Sequence, residues 1–382
     1  MSDMERITPK NWDFSLPRLG VGGMRFPLLD PQVSSSIDRE QVGRMVDYAI
    51  AHGANYFDTA YPYHDHTAEQ ALGEALGRHK REEYLLTDKF PVWLCESEED
   101  LGRIFAEQLK NCGVDYFDVY LLHALSAERM EKVRRLHMLE FFTEQKRLGK
   151  IRKLGFSFHD TPEVFEQIMQ SFDWDIVQIQ LNYFDWEQLE GEKLYQTVLK
   201  KDIPCVVMEP VRGGLLAELP PDIVGELTDL DPARSQASWA VRWLGDLPGV
   251  TIVLSGMSNM AQMEDNVASF SPREPLDGKE RAAVDAVRRR LVEKFQIPCT
   301  GCGYCMDCPF GVQIPDQFEH YGKYHLLGNK DEYLAWYGRK QDEGHGPQSC
   351  KNCKKCVPLC PQGINIPERL REVAQFAADL RK

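Results

Sequence analysis

The chain has 382 residues, of which 43% are apolar, and a formal net charge of −14. This length accommodates one large domain and one small domain, and the apolar content is ordinary for a globular protein. A strongly acidic chain is not expected to bind nucleic acid or an acidic membrane surface, since both attract basic patches. The chain lacks an apolar stretch of the roughly 20 residues that a membrane helix needs, and residues 1–20 lack the apolar run of a signal peptide. We therefore expect a soluble cytoplasmic protein.

The first 270 residues alternate short β-branched runs with stretches of helical periodicity. The predicted strands cover residues 18–23, 56–60, 84–90, 117–122, 151–157, 176–181, 205–209 and 250–254. The helix predicted after each strand covers, in the same order, residues 38–52, 67–78, 98–111, 131–148, 162–171, 192–200, 234–244 and 260–268. A run of β/α units of this number and size predicts a (β/α)8 TIM barrel, with an open doubly wound sheet as the alternative.

Eight of the eleven cysteines form two short runs near the end of the chain, and each run ends in Cys-Pro. Thiolates spaced two residues apart can reach different irons of one [4Fe–4S] cube, while the fourth ligand comes from outside the turn. The second run has the form C-x2-C-x2-C-x3-C-P of bacterial ferredoxins, in which the last cysteine binds the other cluster. We therefore predict two [4Fe–4S] clusters with crossed ligands: Cys299, Cys302, Cys305 and Cys360 for one, and Cys350, Cys353, Cys356 and Cys308 for the other.

Two other roles for these cysteines fit less well. Structural zinc favours pairs of cysteines separated by longer loops, and disulfides need an oxidising compartment. The other three cysteines, Cys95, Cys112 and Cys205, lie in or beside apolar-periodic segments and are interpreted as small core residues.

The region around the cysteine runs is expected to be helical. A helix is predicted over 277–295, a pair of helices between the two runs, and a final helix over 368–380. We therefore expect a barrel domain over residues 1–290 and a small α-helical, ferredoxin-like domain over residues 291–382.

Four polar residues lie at or after the ends of three predicted barrel strands. Asp58 is near the end of the second strand, Tyr63 is in the loop that follows, Lys89 ends the third strand and His123 ends the fourth. Catalytic residues of such barrels cluster at the carboxyl ends of the strands, so we expect these side chains to meet. Tyr61 is the alternative phenol.

The stretch Phe57-Asp58-Thr59-Ala60, together with Tyr63 and residues 71–76 (ALGEAL), resembles the aldo-keto reductase family. The resemblance covers residues 16–270, and the cysteine runs are similar to the branch that ends in a ferredoxin-like domain. It implies an NAD(P)H-dependent oxidoreductase that interconverts a small carbonyl compound and an alcohol. In this interpretation Tyr63 is the general acid, Lys89 lowers the pKa of the Tyr63 phenol, Asp58 holds Lys89, and His123 orients the carbonyl.

The same resemblance implies a nicotinamide dinucleotide site that departs from the family pattern in two places. Ser157 and Gln178 correspond to contacts of the nicotinamide, but Phe158 replaces an Asn of the family. Glu209 stands where the family often has a stacking Tyr. Arg212 and Gly213 begin a loop whose amides can hold a pyrophosphate, with an ordinary glycine turn as the alternative.

After the last strand, a further group corresponds to residues that bind the adenosine phosphate: Gly256, Ser258, Asn259, Gln262 and Asn266. No basic residue occurs between Gly256 and Asn266. A 2′-phosphate therefore lacks a charge partner in this segment, and NADH is at least as plausible as NADPH. A flavin in the barrel is a further alternative.

Hydride carries two electrons, whereas a cubane cluster transfers one. The clusters are therefore expected to exchange electrons with a flavin or a substrate radical, to receive electrons from an external ferredoxin or flavodoxin, or to be structural. The alternative function is an electron-transfer or redox-sensing subunit whose barrel turns over no carbonyl substrate. Aromatic residues expected to line the barrel mouth are Trp93, Phe158, His159 and residues 184–186.

Overall fold

The computed structural model describes residues 4–299, 301, 303–306, 308–360 and 362–382. Its strands are β1 Arg6–Ile7, β2 Leu16–Pro17, β3 Leu19–Gly22, β4 Tyr56–Asp58, β5 Leu85–Phe90, β6 Phe117–Leu125, β7 Ile151–Phe158, β8 Ile176–Gln180, β9 Cys205–Met208 and β10 Val250–Gly256. The first eleven α-helices are α1 Arg39–Ala51, α2 Ala68–Leu76, α3 Glu98–Cys112, α4 Ala127–Arg135, α5 Met138–Arg147, α6 Pro162–Ser171, α7 Asp185–Gln188, α8 Gly191–Lys201, α9 Pro221–Leu230, α10 Gln236–Gly245 and α11 Met260–Phe270. They are followed by α12 Gly278–Lys294, α13 Ile314–Leu327, α14 Lys330–Asp342 and α15 Ile366–Leu380.

Strands β3 to β10 form a closed barrel in chain order. Each neighbouring pair is parallel, and β10 pairs with β3 to close the cylinder. The predicted TIM barrel is confirmed, and the open doubly wound sheet is wrong. The short strands β1 and β2 form a separate antiparallel pair that the sequence analysis did not predict.

The barrel interior is filled by side chains and leaves little room for a larger residue. Its buried core residues are Leu16, Tyr56, Leu85, Val119, Leu121, Ile176, Val206, Ile252 and Leu254. A Cβ atom added at Gly20 would lie 2.9 Å from Ile252 Cγ2, so this position of β3 requires glycine. Each large apolar side chain buried here stabilises the fold by roughly 1.5–3 kcal/mol.

Three helical segments differ from the prediction. The single helix expected over 131–148 is two helices, α4 and α5, because the chain turns at His137, where φ is 48°. Helix α9, which starts with Pro221 at its first turn, was not predicted, nor was the four-residue helix α7. Proline has no backbone N–H donor, and the first turn of a helix does not need one. In a sequence, however, a proline is also a typical sign of a loop, so this helix start was not recognised.

The chain divides into two compact units. The first comprises residues 1–183, 190–211 and 237–281, and it contains the barrel strands. The second comprises residues 184–189, 212–236 and 282–382. Among the described residues, no helix is long and apolar enough to cross a membrane.

The second unit has its own apolar core, which is rich in aromatic residues. The predicted pair of helices between the cysteine runs is present as α13 and α14, and the final helix as α15. Their buried residues include Phe318, Tyr321, Tyr333, Trp336, Tyr337, Leu370 and Val373. Cysteines from both runs, including Cys299, Cys308, Cys350, Cys356 and Cys360, pack against this core.

Candidate active site and cluster-binding cysteines

Lys89 stands at the centre of a group of polar side chains at the carboxyl ends of β4 and β5. Its Nζ donates to a carboxylate oxygen of Asp58, and to the carbonyl oxygen of Thr59 at 2.9 Å. The same Nζ lies 3.4 Å from the hydroxyl oxygen of Tyr63. Lys89 and Asp58 are both buried. Three of the predicted site residues are therefore in direct contact.

His123 joins this group from β6. Its ring lies edge-on to the ring of Tyr63, with the centroids 5.9 Å apart. The register of β6 with β7 shifts between Leu122 and Leu125, and φ of Ala124 is 52°. The strand therefore continues past His123, and an irregularity that the sequence did not reveal sets the position of the imidazole. Bulges of this kind often aim a side chain beside an active site.

Burial lowers the pKa of His123 well below its usual value, and the positive charge of Lys89 lowers it further. The imidazole is therefore neutral at physiological pH. A neutral imidazole still has one N–H group, so it can donate a hydrogen bond to a carbonyl oxygen.

The net shift of the Tyr63 pKa is opposite to the lowering that Lys89 alone would cause. Burial raises the pKa of the Tyr63 phenol well above its ordinary value, and the carboxylates of Asp58 and Glu209 raise it further. Because Asp58 contacts Lys89, its negative charge largely cancels the field of the ammonium at the phenol. Tyr63 is therefore a protonated phenol at neutral pH.

The rival phenol, Tyr61, has a different partner. Its hydroxyl donates to the carboxylate of Glu107 at 3.1 Å. Tyr63 is the tyrosine whose hydroxyl lies beside Lys89.

Asp58 also binds Gln178 on β8. Burial raises the pKa of Asp58, while the charge and hydrogen bond of Lys89 and the hydrogen bond of Gln178 lower it. Gln178 Nε2 donates to Asp58 Oδ2 at 3.1 Å, whereas its Oε1 is buried and has no partner among the described residues. Gln178, predicted as a nicotinamide contact, thus supports the aspartate and keeps one free acceptor.

The loop after β10 uses several of its predicted cofactor contacts internally. Ser258 N donates to Gln262 Oε1 at 2.7 Å, and Gln262 N donates to Asn259 Oδ1 at 2.9 Å. Asn266 Nδ2 donates to the carbonyl oxygen of Gln262 at 2.8 Å. Asn266 Oδ1 is buried and lacks a partner within the described part of the chain. These bonds order the start of α11.

Arg25 is a residue of this region that the sequence analysis missed. A Cβ atom added at Gly256 would lie 3.2 Å from Arg25 Cβ, and Ser258 Oγ donates to the Arg25 carbonyl oxygen at 2.8 Å. Arg25 Nη2 also lies 4.0 Å from a carboxylate oxygen of Glu209. A cation therefore lies beside a loop that has none of its own. No local signal reveals this, because the two segments are far apart in sequence.

Glu209, directly after β9, has a left-handed backbone with φ of 58°. Its carbonyl oxygen accepts a hydrogen bond from Asn182 Nδ2 at 3.0 Å. A left-handed backbone costs conformational free energy in a residue that has a side chain. Residues strained in this way cluster at functional sites.

Arg212 and Gly213 also have positive φ values, of 48° and 66°. The Arg212 side chain is buried in the second unit, where Nε lies 2.9 Å from Asp185 Oδ1. Its guanidinium carbon is 4.5 Å from the ring centroid of Phe184 and 5.1 Å from that of Phe295. These contacts fix the guanidinium in place.

The predicted nicotinamide contact Ser157 and the expected lining residues have varied surroundings. Ser157 Oγ accepts a hydrogen bond from Ala124 N at 2.7 Å. The ring of Trp93 lies 5.0 Å from that of His123, beside the active group. Phe158 is buried and packs 4.9 Å from Phe165. Trp93, one of the expected lining residues, thus contacts the group around Lys89.

Burial, followed by the charge of Arg129, lowers the pKa of His159 to about 4. This second histidine is therefore also uncharged at physiological pH.

Three of the four cysteines of the first predicted set line one cavity. Cys299, Cys305 and Cys360 surround an empty volume of about 310 Å³, which includes space open to solvent. The fourth, Cys302, lies outside the described residues. The remaining lining is Gly303, Ile314, Pro315, Phe318, Gln362, Ile364 and Ile366. A cysteine from the second run thus faces the same space as two from the first, as the crossed pattern requires.

Backbone N–H groups lie beside the thiol of Cys360. Burial raises the pKa of Cys360, while hydrogen bonds from the backbones of Ile364, Gln362 and Gly363 lower it. Amide donors around a thiolate are typical of iron–sulfur ligands, whose potential they tune.

The second predicted set is also gathered together. Burial raises the pKa of Cys356, and the neighbouring thiols of Cys350, Cys308 and Cys353 raise it further. Cys308 comes from the first run, so each predicted set contains one cysteine of the other run. No three His, Cys, Asp or Glu side chains of the described chain are close enough to hold a single metal ion. The donor chemistry and the apolar surroundings fit iron–sulfur clusters.

The profile of the Aldo/keto reductase family matches residues 18–289, which include the barrel and the group around Lys89. The chain belongs to this family. Its carboxyl-terminal part, residues 298–366, matches the 4Fe-4S dicluster domain. The protein is therefore an oxidoreductase of the aldo/keto reductase family that carries an iron–sulfur domain.

Curated relatives align with the barrel at low identity. An uncharacterized oxidoreductase, YqkF, of Bacillus subtilis (strain 168) is 24% identical over 291 residues, covering 68% of this chain and 89% of the relative. The NADH-specific methylglyoxal reductase of Escherichia coli (strain K12) is 24% identical over 321 residues, covering 70% and 94%.

Solved structures support the fold. The holo form of aldo-keto reductase AKR11C1 from Bacillus halodurans has a TM-score of 0.60 and 24% identity, covering 74% of this chain and 96% of that chain. An aldo-keto reductase from Klebsiella pneumoniae in complex with NADPH has a TM-score of 0.59 and 21% identity, covering 75% and 96%.

Proposed function

We propose that this protein interconverts a carbonyl compound and an alcohol with Tyr63 as the general acid and base, and that its clusters carry single electrons. The observation that supports it most directly is the distance of 3.4 Å between the Tyr63 hydroxyl oxygen and Lys89 Nζ. Asp58 and His123 complete the group at the same end of the barrel.

A carbonyl that receives hydride develops negative charge on its oxygen and needs a positioned proton donor. A bound nicotinamide dinucleotide supplies the hydride. Tyr63 donates its hydroxyl proton to the oxygen, and the neutral imidazole of His123 donates a hydrogen bond to the same atom. Lys89 stabilises the phenolate that Tyr63 leaves behind, while Asp58 holds Lys89 in place.

The raised pKa of Tyr63 favours the reduction direction at neutral pH. Reduction needs the phenol, which is the form present, whereas alcohol oxidation needs the phenolate. Oxidation is therefore expected to accelerate as pH rises, and reduction to slow.

Two buried acceptors support binding of a nicotinamide dinucleotide. Gln178 Oε1 and Asn266 Oδ1 both lack a partner among the described residues. A carboxamide of the nicotinamide and an amino group of the adenine are donors of the required kind. The proposal covers NADH and NADPH, and titration of the anaerobic protein with each decides between them. Flavin analysis of the same preparation tests the flavin alternative.

Replacement of Tyr63 by phenylalanine tests the proposed acid. The Tyr63→Phe variant removes the hydroxyl alone, so carbonyl reduction should fall by about 10²–10⁴-fold while nucleotide binding is retained. Tyr61→Phe is the matched control and should keep its activity. Equal activities of the two variants would contradict the role of Tyr63.

We further propose that the two cysteine sets hold one cluster each, in the crossed arrangement. Replacement of Cys356 by alanine should lower bound iron from about eight to about four atoms per chain, with one cluster signal left in electron paramagnetic resonance. Cys95→Ala is the control, because Cys95 is a buried residue of the first unit that belongs to neither run, and it should leave the iron content unchanged. Unchanged iron in the Cys356 variant would overturn the assignment.

One observation favours a second candidate function. The Glu209 carboxylate acts on Tyr63, and a negative charge there opposes the oxyanion that carbonyl reduction creates. The second candidate is an electron-transfer subunit whose barrel turns over no carbonyl. In that case Tyr63→Phe would leave the measurable activity, electron transfer, intact.

A further inference from the structure

Cys353 differs in exposure from the other described cysteines. It is exposed, whereas those at the other positions of both runs that the structure describes are buried or partly buried. It belongs to the set that also contains Cys350, Cys356 and Cys308. Among the described cysteines of the two runs, Cys353 is therefore the one most accessible to a protein in solution.

Three lysines flank this cysteine. Lys351, Lys354 and Lys355 are all exposed. Residues 344–367 contain these three lysines and neither Asp nor Glu, although the whole chain has 59 acidic and 45 basic residues. Within the described part of the chain, none of the three forms an ion pair within 4 Å, whereas many other basic residues do, for example Lys340 with Glu343. We call Lys351, Lys354 and Lys355 the lysine patch.

The backbone holds the lysine patch in a defined turn. Asn352 and Lys354 both have left-handed backbones, with φ of 54° and 60°. Asn352 N lies 3.5 Å from Cys350 Sγ, as a donor to the thiol. A left-handed conformation costs roughly 1–2 kcal/mol for a residue other than glycine. The turn thus directs the Asn352 amide to the Cys350 sulfur, while the three lysines of the patch stay exposed.

Exposed apolar side chains also occur near the cysteines. Met306 is 40% exposed, Phe310 is 41% exposed and Leu359 is 44% exposed. Each is one or two positions from a cysteine of a cluster set. Apolar contacts combined with complementary charge are typical of transient protein interfaces.

We propose that the lysine patch is the docking surface for a small acidic one-electron carrier protein. This inference rests on the proposed redox role of the clusters. In each encounter the reduced carrier loses one electron and one cluster gains it, so two encounters reduce both clusters by one electron each. The acidic remainder of the chain repels an acidic carrier, so charge directs it to the patch around Cys353.

Stopped-flow spectroscopy of the anaerobic holoprotein tests this. A reduced acidic [2Fe–2S] ferredoxin serves as the probe, and the bleaching of the [4Fe–4S] absorbance gives the rate of electron transfer. The variant carries Lys351→Glu, Lys354→Glu and Lys355→Glu. The control carries Lys10→Glu, Lys110→Glu and Lys150→Glu, which makes the same change in net charge at exposed positions of the barrel unit. Reduced methyl viologen, a small organic donor, reports whether the clusters of each variant still accept electrons.

At low salt, ferredoxin should reduce the clusters of the patch variant at least about tenfold more slowly than those of the control. The rate for the patch variant should also depend less on ionic strength. Reduction by methyl viologen should be similar in both. Equal ferredoxin rates and salt dependences in the two variants would overturn the proposal, as would clusters that neither donor reduces in the unmutated protein. If carbonyl turnover is absent but the patch effect is present, the proposed enzymatic function fails while this inference stands.

Discussion

Asp58 and Asp118 are both buried aspartates on barrel strands, but they lie at opposite ends of the cylinder. Asp58 ends β4 and binds Lys89 beside a phenol and an imidazole. Asp118, near the start of β6, accepts hydrogen bonds from Arg81 at 2.6 Å, Arg152 at 2.8 Å and Leu86 N at 2.9 Å.

The two aspartates differ in what their hydrogen-bond partners contact in turn. Each of these three partners of Asp118 is a donor that joins one chain segment to another, so the Asp118 charge stabilises the fold. Lys89, one of the two side-chain partners of Asp58, has its Nζ 3.4 Å from the hydroxyl oxygen of Tyr63, a residue that is only partly buried. In such barrels the carboxyl ends of the strands carry chemistry and the amino ends carry stability. Replacement of each aspartate by asparagine, which keeps the shape and removes the charge, separates these roles.

Among the substitutions that test this comparison, the largest effect is expected for Asp58→Asn. Loss of the carboxylate leaves the Lys89 ammonium without its counter-charge, so its position and protonation are no longer fixed. Carbonyl reduction per folded molecule should fall by about 10²–10³-fold. Steady-state rates measured well below the unfolding temperature check this. A folded variant with wild-type rates would show that Asp58 has no role in the reaction.

A smaller effect of a different kind is expected for Asp118→Asn. The asparagine amide faces two guanidinium groups and accepts fewer hydrogen bonds, so the free energy of unfolding should drop by about 2–3 kcal/mol. Activity per folded molecule should not change. Chemical denaturation measures the free energy of unfolding, and steady-state rates at low temperature measure the activity per folded molecule. A loss of activity without a loss of stability would contradict the structural role of Asp118.

A third buried aspartate, Asp88, should affect the pH dependence of stability. Burial and the neighbouring carboxylate of Glu69 raise its pKa well above the usual value, and burial raises the pKa of Glu69. Because the folded-state pKa is raised, the stabilisation is fully present below the unfolded-state pKa of Asp and is lost as pH rises through the folded-state pKa.

Asp88→Asn removes this loss, because the amide can donate as the protonated carboxyl does, and its oxygen can accept from Lys89 N, as Asp88 Oδ1 does at 2.8 Å. Relative to the wild type, the variant should gain stability as pH increases above about 4, by up to about 1.4 kcal/mol per pH unit while Asp88 of the folded wild type stays protonated. Thermal unfolding across this range is the measurement. Parallel curves for the two proteins would show that Asp88 does not titrate with folding.

The smallest effect is expected for Glu209→Gln. Removal of a carboxylate that raises the pKa of Tyr63 should move the alkaline limb of the reduction profile to lower pH. The profile of kcat/KM against pH reports this for the free enzyme. Asp202→Asn, at an exposed residue that also has a left-handed backbone, with φ of 50°, is a suitable control and should leave the profile in place.

Much of the candidate site could be predicted from local patterns. Alternating periodicity predicted the barrel, and the ends of its strands predicted that Asp58, Lys89 and His123 would meet. Regular cysteine spacing predicted an iron–sulfur domain, and the family profiles confirm it. The break at His137 was missed because one residue with φ of 48° ends a helix without changing its apolar period.

The sequence by itself determined the barrel, the dicluster domain and the residue types at the strand ends, because these depend on periodicity and on spacings within one segment. Only the tertiary structure decided that Arg25 lies beside Gly256 and that Gln178 binds Asp58. The direction of the Tyr63 pKa shift was decided there as well, since it depends on burial and on Asp58 and Glu209 together. Desolvation and long-range charge are properties of neighbours in space, which the order of residues along a chain does not specify.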